Sequence, residues 1–228
     1  MNPVEIGAIA LLGAVFGLDV VSFPQAMLSR PLVAATLTGA FLGAPEAGLL
    51  LGATLECFAL ESLPFGASRY PEWGSSSAVG GALVSLPVAK GAGALMIAVV
   101  VTLCWAWLGG WSMVQLRRLN ARWARQRHEA VARGSRRTVI GLQLYGMSAD
   151  LLRGALMTAS GIAIGAPLMQ LAIPRWQVPE TLTRSVLMVL AGIVAASATH
   201  KVFHIVPGAR WYMLGGLTLG MALLVVLS

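Results

Sequence analysis

Charge is what this sequence has least of. Asp, Glu, Lys and Arg make up 11% of its 228 residues, against about 25% in an ordinary soluble domain. Acidic residues are the scarcer sign, 9 against 16 basic ones. Cysteine is almost missing: Cys57 and Cys104 stand in apolar runs, without CxxC or metal-ligand spacing. A disulfide framework and a zinc site are therefore not indicated, and both cysteines read as small buried hydrophobes. There is no nucleophile constellation, no phosphate-cradling glycine loop and no metal-ligand cluster. His128, His200 and His204 lack any partner arrangement that suggests phosphoryl chemistry. The sequence thus assigns no catalytic, cofactor or metal residue.

What is present is apolar. Hydrophobic residues form 57% of the chain, and no charge interrupts positions 91–116 between Lys90 and Arg117. Residues 154–174 and 211–228 are equally clean. A helix needs roughly 20 such residues to cross the hydrocarbon core. The expected fold is all-α: a polytopic integral membrane protein with about six or more membrane helices, in one membrane-embedded domain over residues 1–228. The opening stretch MNPVEIGAIALLGAVFGL lacks the cationic region of a signal peptide, its one early charge being Glu5. It reads as a first membrane segment that is retained.

The net charge of +7 is concentrated. Eight of the 16 basic residues lie between Arg117 and Arg137. In so apolar a chain this clustering is explained by the positive-inside rule and not by nucleic acid, so segment 117–137 is expected on the cytoplasmic side. There it lies against anionic headgroups of the bilayer. Residues 117–133 read as a helix continuing along or below the interface with Trp123 as an anchor, stopped by Gly134 and Ser135. Its polar face reads as solvated. From that loop, 91–116 runs inward, 154–174 outward, about 184–203 inward again, and the last segment outward. The C-terminal helices occupy 138–228.

Residues 1–90 are less regular. The run after Pro31, LVAATLTGAFLGA, extends only about 20 Å at 1.5 Å per residue before Pro45 interrupts it. Two short helices joined at a proline suggest a re-entrant or broken-helix hairpin. Irregular backbone survives at membrane depth only where protein or a water-filled cavity surrounds it, and transporters build substrate sites from such elements. Gly39 and Gly43, then Gly48 and Gly52, repeat a four-residue spacing that lets helix backbones approach. After Pro64 the chain reads as a loop through about residue 74, then a short small-residue helix ending near Pro87.

Within LLLGATLECFALESLPFGA lies Glu56. Intramembrane acids normally face a bundle interior or aqueous cavity and mark a pathway or binding site. The bland alternative places Glu56 near an interface, or protonated and hydrogen-bonded to a neighbouring helix. Glu61 is closer to the helix end and to water. Arg30 has three possible roles: pairing with Glu56, pairing with Asp19, or capping the hairpin at the headgroups. Asp150 and Arg153, three apart on one helix face, form a self-neutralising pair. On residues alone the chain is a transporter or channel subunit with a polar site at a broken helix.

The stretch SRPLVAATLTGAFLGAPEAGLLLGATLECFALESLPFGAS resembles the N-terminal signature of enzyme IIC of the mannose-fructose-sorbose phosphotransferase system. The matching positions are Arg30, Pro31, Leu32, Gly39, Leu42, Gly43, Gly48, Gly52, Leu55, Glu56, Gly66 and Ala67. The likeness continues through HEAVARG and LQLYGMSADLLRGAL. It implies a sugar permease subunit with an N-terminal re-entrant hairpin, working in an oligomeric assembly with a membrane subunit IID. Soluble IIA and IIB units would phosphorylate the incoming sugar through their own histidines, which accounts for a chain without phosphoryl-transfer residues. Carried onto this sequence, the sugar-contact candidates are Glu56 and Gln25, with Arg30 and Glu61 beside them. A carboxylate and an amide suit sugar hydroxyls. Before Arg30 the chain reads SFPQAML where mannose-type members are acidic and glutamine-rich, and position 64 is proline. The sugar therefore stays open, as does a non-transporting scaffold that recruits soluble phosphotransferase proteins through the Arg-rich segment.

Overall fold

Three prolines set where the first helices begin. Helices α1 (Pro3–Asp19), α2 (Pro31–Phe41) and α3 (Pro45–Glu61) each start on proline, whose missing N–H is one that a first turn leaves unpaired and whose φ is preset. The computed structural model describes residues 1–20, 22–61, 69–176 and 207–227, with scattered positions between 179 and 196, and among these every regular element is helical. Ahead of α1, the Asn2 side chain accepts the Glu5 N–H at 2.7 Å while the Asn2 N–H donates to the Glu5 carboxylate at 2.9 Å. This capping box explains the lone early acid: Glu5 closes the helix end.

The break at Pro45 is present. The chain turns after α2 through Gly43, at φ +77°, and the Ala44 N–H returns to the Gly39 carbonyl at 2.8 Å. The arms then touch backbone to backbone. A Cβ on Gly48 would stand 2.5 Å from the Ala35 carbonyl oxygen, and one on Gly52 2.8 Å from that of Pro31. Gly39, Gly48 and Gly52 lie on the contact face of this helix pair, whereas Gly43 serves the turn.

Helix α4 (Trp73–Val84) is the small-residue helix expected before Pro87, and every residue from Gly74 to Val84 is buried. At 12 residues it is about 18 Å long, well short of a membrane crossing. Around it pack α1, α2 and α3, together with α5 (Ala92–Gln126) and α7 (Arg136–Ala172). The core joins Leu51 and Leu55 of α3, Val79 and Leu83 of α4, Ala98 of α5 and Met169 of α7. Helix α1 lies antiparallel to α7, with Gly13 against Thr158 and Gly17 against Gly154.

Helices α5 and α7 have 35 and 37 residues, or about 52 and 55 Å. The stretches Gly93–Gln126 and Arg136–Arg175 are long and apolar enough to cross a membrane. Both are longer than the roughly 30 Å of a bilayer's hydrocarbon core. Residues 117–126 continue the helix that begins in the apolar stretch, as expected, since nothing after Gly110 breaks it, but that helix does not run on to residue 133. The break comes at Arg127, followed by the five-residue α6 (His128–Ala132). Gly134, at φ +74°, ends that turn as expected. Ser135 instead opens the next helix, its hydroxyl accepting the Thr138 N–H.

A second correction concerns the cysteines. Cys57 is half-buried and Cys104 exposed, on a helix that also turns Val100, Trp107, Leu108 and Trp111 outward. Lipid is as apolar as a protein core, so a small hydrophobe needs no burial there. A C-terminal helix spans Ala209–Leu227 with Trp211 and Tyr212 exposed. The span expected at 184–203 lies mostly outside the described residues, as do His200, Lys201 and His204.

Candidate functional site

The site begins at the end of α1. Asp19 is only 2% exposed and sits at a helix C-terminus, where the macrodipole disfavours an acid. It is stabilised by the loop that follows: the Ala26 N–H donates to Oδ1 at 2.7 Å and the Ser29 N–H to Oδ2 at 3.0 Å. These charge-assisted bonds fold residues 22–30 around one carboxylate. Two residues of the loop, Gln25 at φ 58° and Met27 at φ 61°, take the left-handed conformation without being glycine. Each costs of order 1–3 kcal/mol, a strain that tends to gather at ligand clamps.

The loop delivers Arg30 to the start of α2. Its guanidinium pairs with the Glu56 carboxylate, whose other oxygen accepts the Leu32 N–H at 3.2 Å. Glu56 therefore fastens the open end of the hairpin from α3. The pair is only partly buried, the two side chains being 33% and 17% exposed. Of the three roles open to Arg30, the structure selects the pair with Glu56, and Asp19 serves backbone N–H groups instead.

Beside this clasp lies a pocket of about 250 Å³, walled by Asp19, Gln25, Ser29, Arg30, Tyr70 and Trp73 among others. Gln25 and Arg30 are thus brought together on one cavity. Glu56 stands behind Arg30 and is not among the walls. Glu61 closes α3, and its side chain lies outside the described residues. Tyr70, which with Arg69 reads in the sequence as bulk near the presumed site, stands on its wall; Trp73 was not foreseen, because RYPEW reads as an irregular loop, and an aromatic following a broken hairpin was the available signal.

Below the pocket the charges are buried. Glu72 is 1% exposed and N-caps α4, accepting the Ser75 N–H at 3.0 Å and the Ser75 hydroxyl. Its own N–H donates to the Ala106 carbonyl of α5 at 2.8 Å. Arg153 of α7 approaches it at 3.9 Å, donates to Asp150 at 2.9 Å and reaches the Ser112 hydroxyl at 3.3 Å. The expected Asp150 and Arg153 pair is real, but it is not self-contained: the same guanidinium also faces Glu72. Nearby, Arg117 donates to the Tyr70 hydroxyl at 2.6 Å and lies 5.0 Å from that ring. Among the described residues no group of three or more His, Cys, Asp or Glu is placed to hold a metal.

A polar pocket beside a clasped helix pair, in a chain with two membrane-length helices, agrees with what the comparisons return. Residues 4–197 match the family described as PTS system sorbose-specific IIC component. The chain belongs to this family. As a IIC family member it is a component of a phosphotransferase system and a membrane protein. It is similar to the PTS system sorbose-specific EIIC component of Lacticaseibacillus casei, 32% identical over 84 residues. That match covers 37% of this chain and 30% of the relative's length. Two solved structures share the fold. One, described as a membrane protein, superposes with TM-score 0.77 at 19% identity, covering 99% of this chain and 92% of the other. The second, the mannose transporter ManYZ in complex with microcin E492, gives 0.63 at 18%, covering 100% and 96%.

Proposed function

We propose that this IIC family member is the sugar-translocating subunit of a mannose-type phosphotransferase system, moving a hexose or related sugar inward for phosphorylation by separate IIA and IIB units. Its membrane partner is a IID-like subunit, within an oligomeric assembly. The pocket at the end of α1 is the sugar site. Gln25 supplies a donor and an acceptor, Arg30 donors and Tyr70 a hydroxyl, which is the complement that sugar hydroxyls require. Trp73 adds an apolar face, and about 250 Å³ suits a ligand smaller than the drug-sized ones that fill 300–1,000 Å³. Glu56 acts through Arg30, holding the guanidinium on the pocket wall. The α2–α3 pair is a re-entrant hairpin: α2, at 11 residues, reaches only about 16 Å, too short to cross. The remaining long helices, with the C-terminal segments, make up six or more membrane elements. The arginine-rich ends of α5 and α7 face the cytoplasm by the positive-inside rule.

The observation that carries this reading is the strained loop placing Gln25 and Arg30 on one cavity in a chain of this family. Uptake of labelled sugars in cells producing the chain with its IID-like, IIA and IIB partners tests it. Glu56→Ala is expected to abolish uptake while membrane insertion is retained; unchanged uptake would remove the role given to Glu56. The exposed arginines Arg118, Arg122 and Arg125 favour a second reading, a non-transporting scaffold that recruits soluble phosphotransferase proteins. Uptake of no sugar by the intact assembly would select it.

A further inference from the structure

We propose that the cleft between the arginine-bearing ends of α5 and α7 is a second subsite for the same hydroxyl-rich solute, separated from the pocket by the Tyr70–Arg117 contact. The inference rests on the sugar-permease reading above. The cleft measures about 470 Å³ against about 250 Å³ for the pocket, and the two have no wall residue in common. What joins them is one side-chain bond: Tyr70 stands on the pocket wall, Arg117 on the cleft wall, and the guanidinium donates to the phenol oxygen at 2.6 Å. The loop after α1 borders both spaces, giving Gln25 to the pocket and Ser22 to the cleft.

The chemistry of the cleft suits hydroxyls better than lipid tails. Asn120 and Gln143 each offer donors and an acceptor, and Asp150 and Ser22 add oxygen acceptors. Trp123 contributes a flat apolar face with one N–H. The Asn120 Oδ1 is buried and, among the described residues, has no hydrogen-bond partner. Buried side-chain acceptors are nearly always satisfied, and an O–H of a bound sugar would satisfy this one. A phosphorylated ligand fits less well, because the Asp150 carboxylate shares the wall with Arg117. The subsite therefore takes the sugar before it carries a phosphoryl group, on the side from which the soluble units approach.

Cysteine protection tests the proposal in inside-out vesicles holding the full assembly, with Cys57→Ser and Cys104→Ser as background. Single reporters Ser29→Cys, for the pocket, and Ala124→Cys, for the cleft, leave Gln25 and Asn120 in place and are reacted with a membrane-impermeant maleimide against a panel of hexoses and ketohexoses. The sugar that protects Ser29→Cys is expected to slow modification of Ala124→Cys at least fivefold. Adding Gln143→Ala should raise the half-protecting concentration at position 124 about tenfold and leave that at position 29 unchanged. If Ala124→Cys does not assemble, Met147→Cys serves as the reporter. Protection at position 29 with none at 124 overturns the subsite and leaves the permease reading standing. An equal shift of both curves marks a conformational effect and also overturns it. Protection at neither position by any sugar sinks the permease reading together with the subsite.

Discussion

Glu56, within α3, and Glu72, at the start of α4, are the same residue type on neighbouring short helices, yet the fold treats them differently. Glu56 meets a single arginine and one backbone N–H, and the pair is only partly buried. Glu72 is 1% exposed and caps a helix, with Ser75 on its carboxylate and the Arg153 guanidinium at 3.9 Å. A half-solvated ion pair is worth little to stability, whereas breaking a buried one leaves an uncompensated charge. The first acid can therefore be spared for adjustment of a site, while the second holds α4, α5 and α7 in place. Under the proposed function, depth of burial and not residue type separates the acid of the site from the acid of the framework.

That contrast can be broken by substitution. The largest effect is expected from Arg153→Ala, which strands Glu72 and Asp150 and should cost about 3–5 kcal/mol, read as a fall in apparent Tm of the purified protein or loss of assembled chain. Asp19→Ala removes the acceptor of two backbone N–H groups; a cost of about 3 kcal/mol is expected, with loss of uptake because the loop no longer presents Gln25. Glu56→Ala should cost only about 1 kcal/mol while abolishing uptake. If its Tm fell as far as that of Arg153→Ala, the distinction between the two acids would be wrong. Asn2→Ala, far from both sites, should lose about 1 kcal/mol or less with uptake intact, and serves as the control for a purely structural change.

Much of the N-terminal architecture was legible because prolines and glycines act locally. Pro31 and Pro45 started helices where they stand, and the spacing of Gly39, Gly48 and Gly52 marked a face that does become a backbone contact. Arg30 and Glu56 were both identifiable, though their pairing was one choice among three, since 26 positions of chain separate them and only folding decides. Glu72 was not legible. Its neighbours RYPEW show no period, and its burial is imposed by α5, whose Ala106 carbonyl receives the Glu72 N–H. The arginine-rich end was misjudged in part: a charge run reads as a solvated face, and most of it is. Arg117 and Asn120 are the turns of α5 that instead face α7, which the pattern of α5 alone does not reveal.

Helix α4 carries a consequence for the protein's evolution and engineering. From Gly74 to Val84 a rod of glycine, serine, alanine and a few branched side chains, hidden on all sides, leaves its neighbours no slack to yield when a methyl group is added. A map of substitution tolerance along the chain would dip over this segment as deeply as over any binding residue. Sequence searches that equate intolerance with chemistry would then point at eleven residues whose contribution is to be thin.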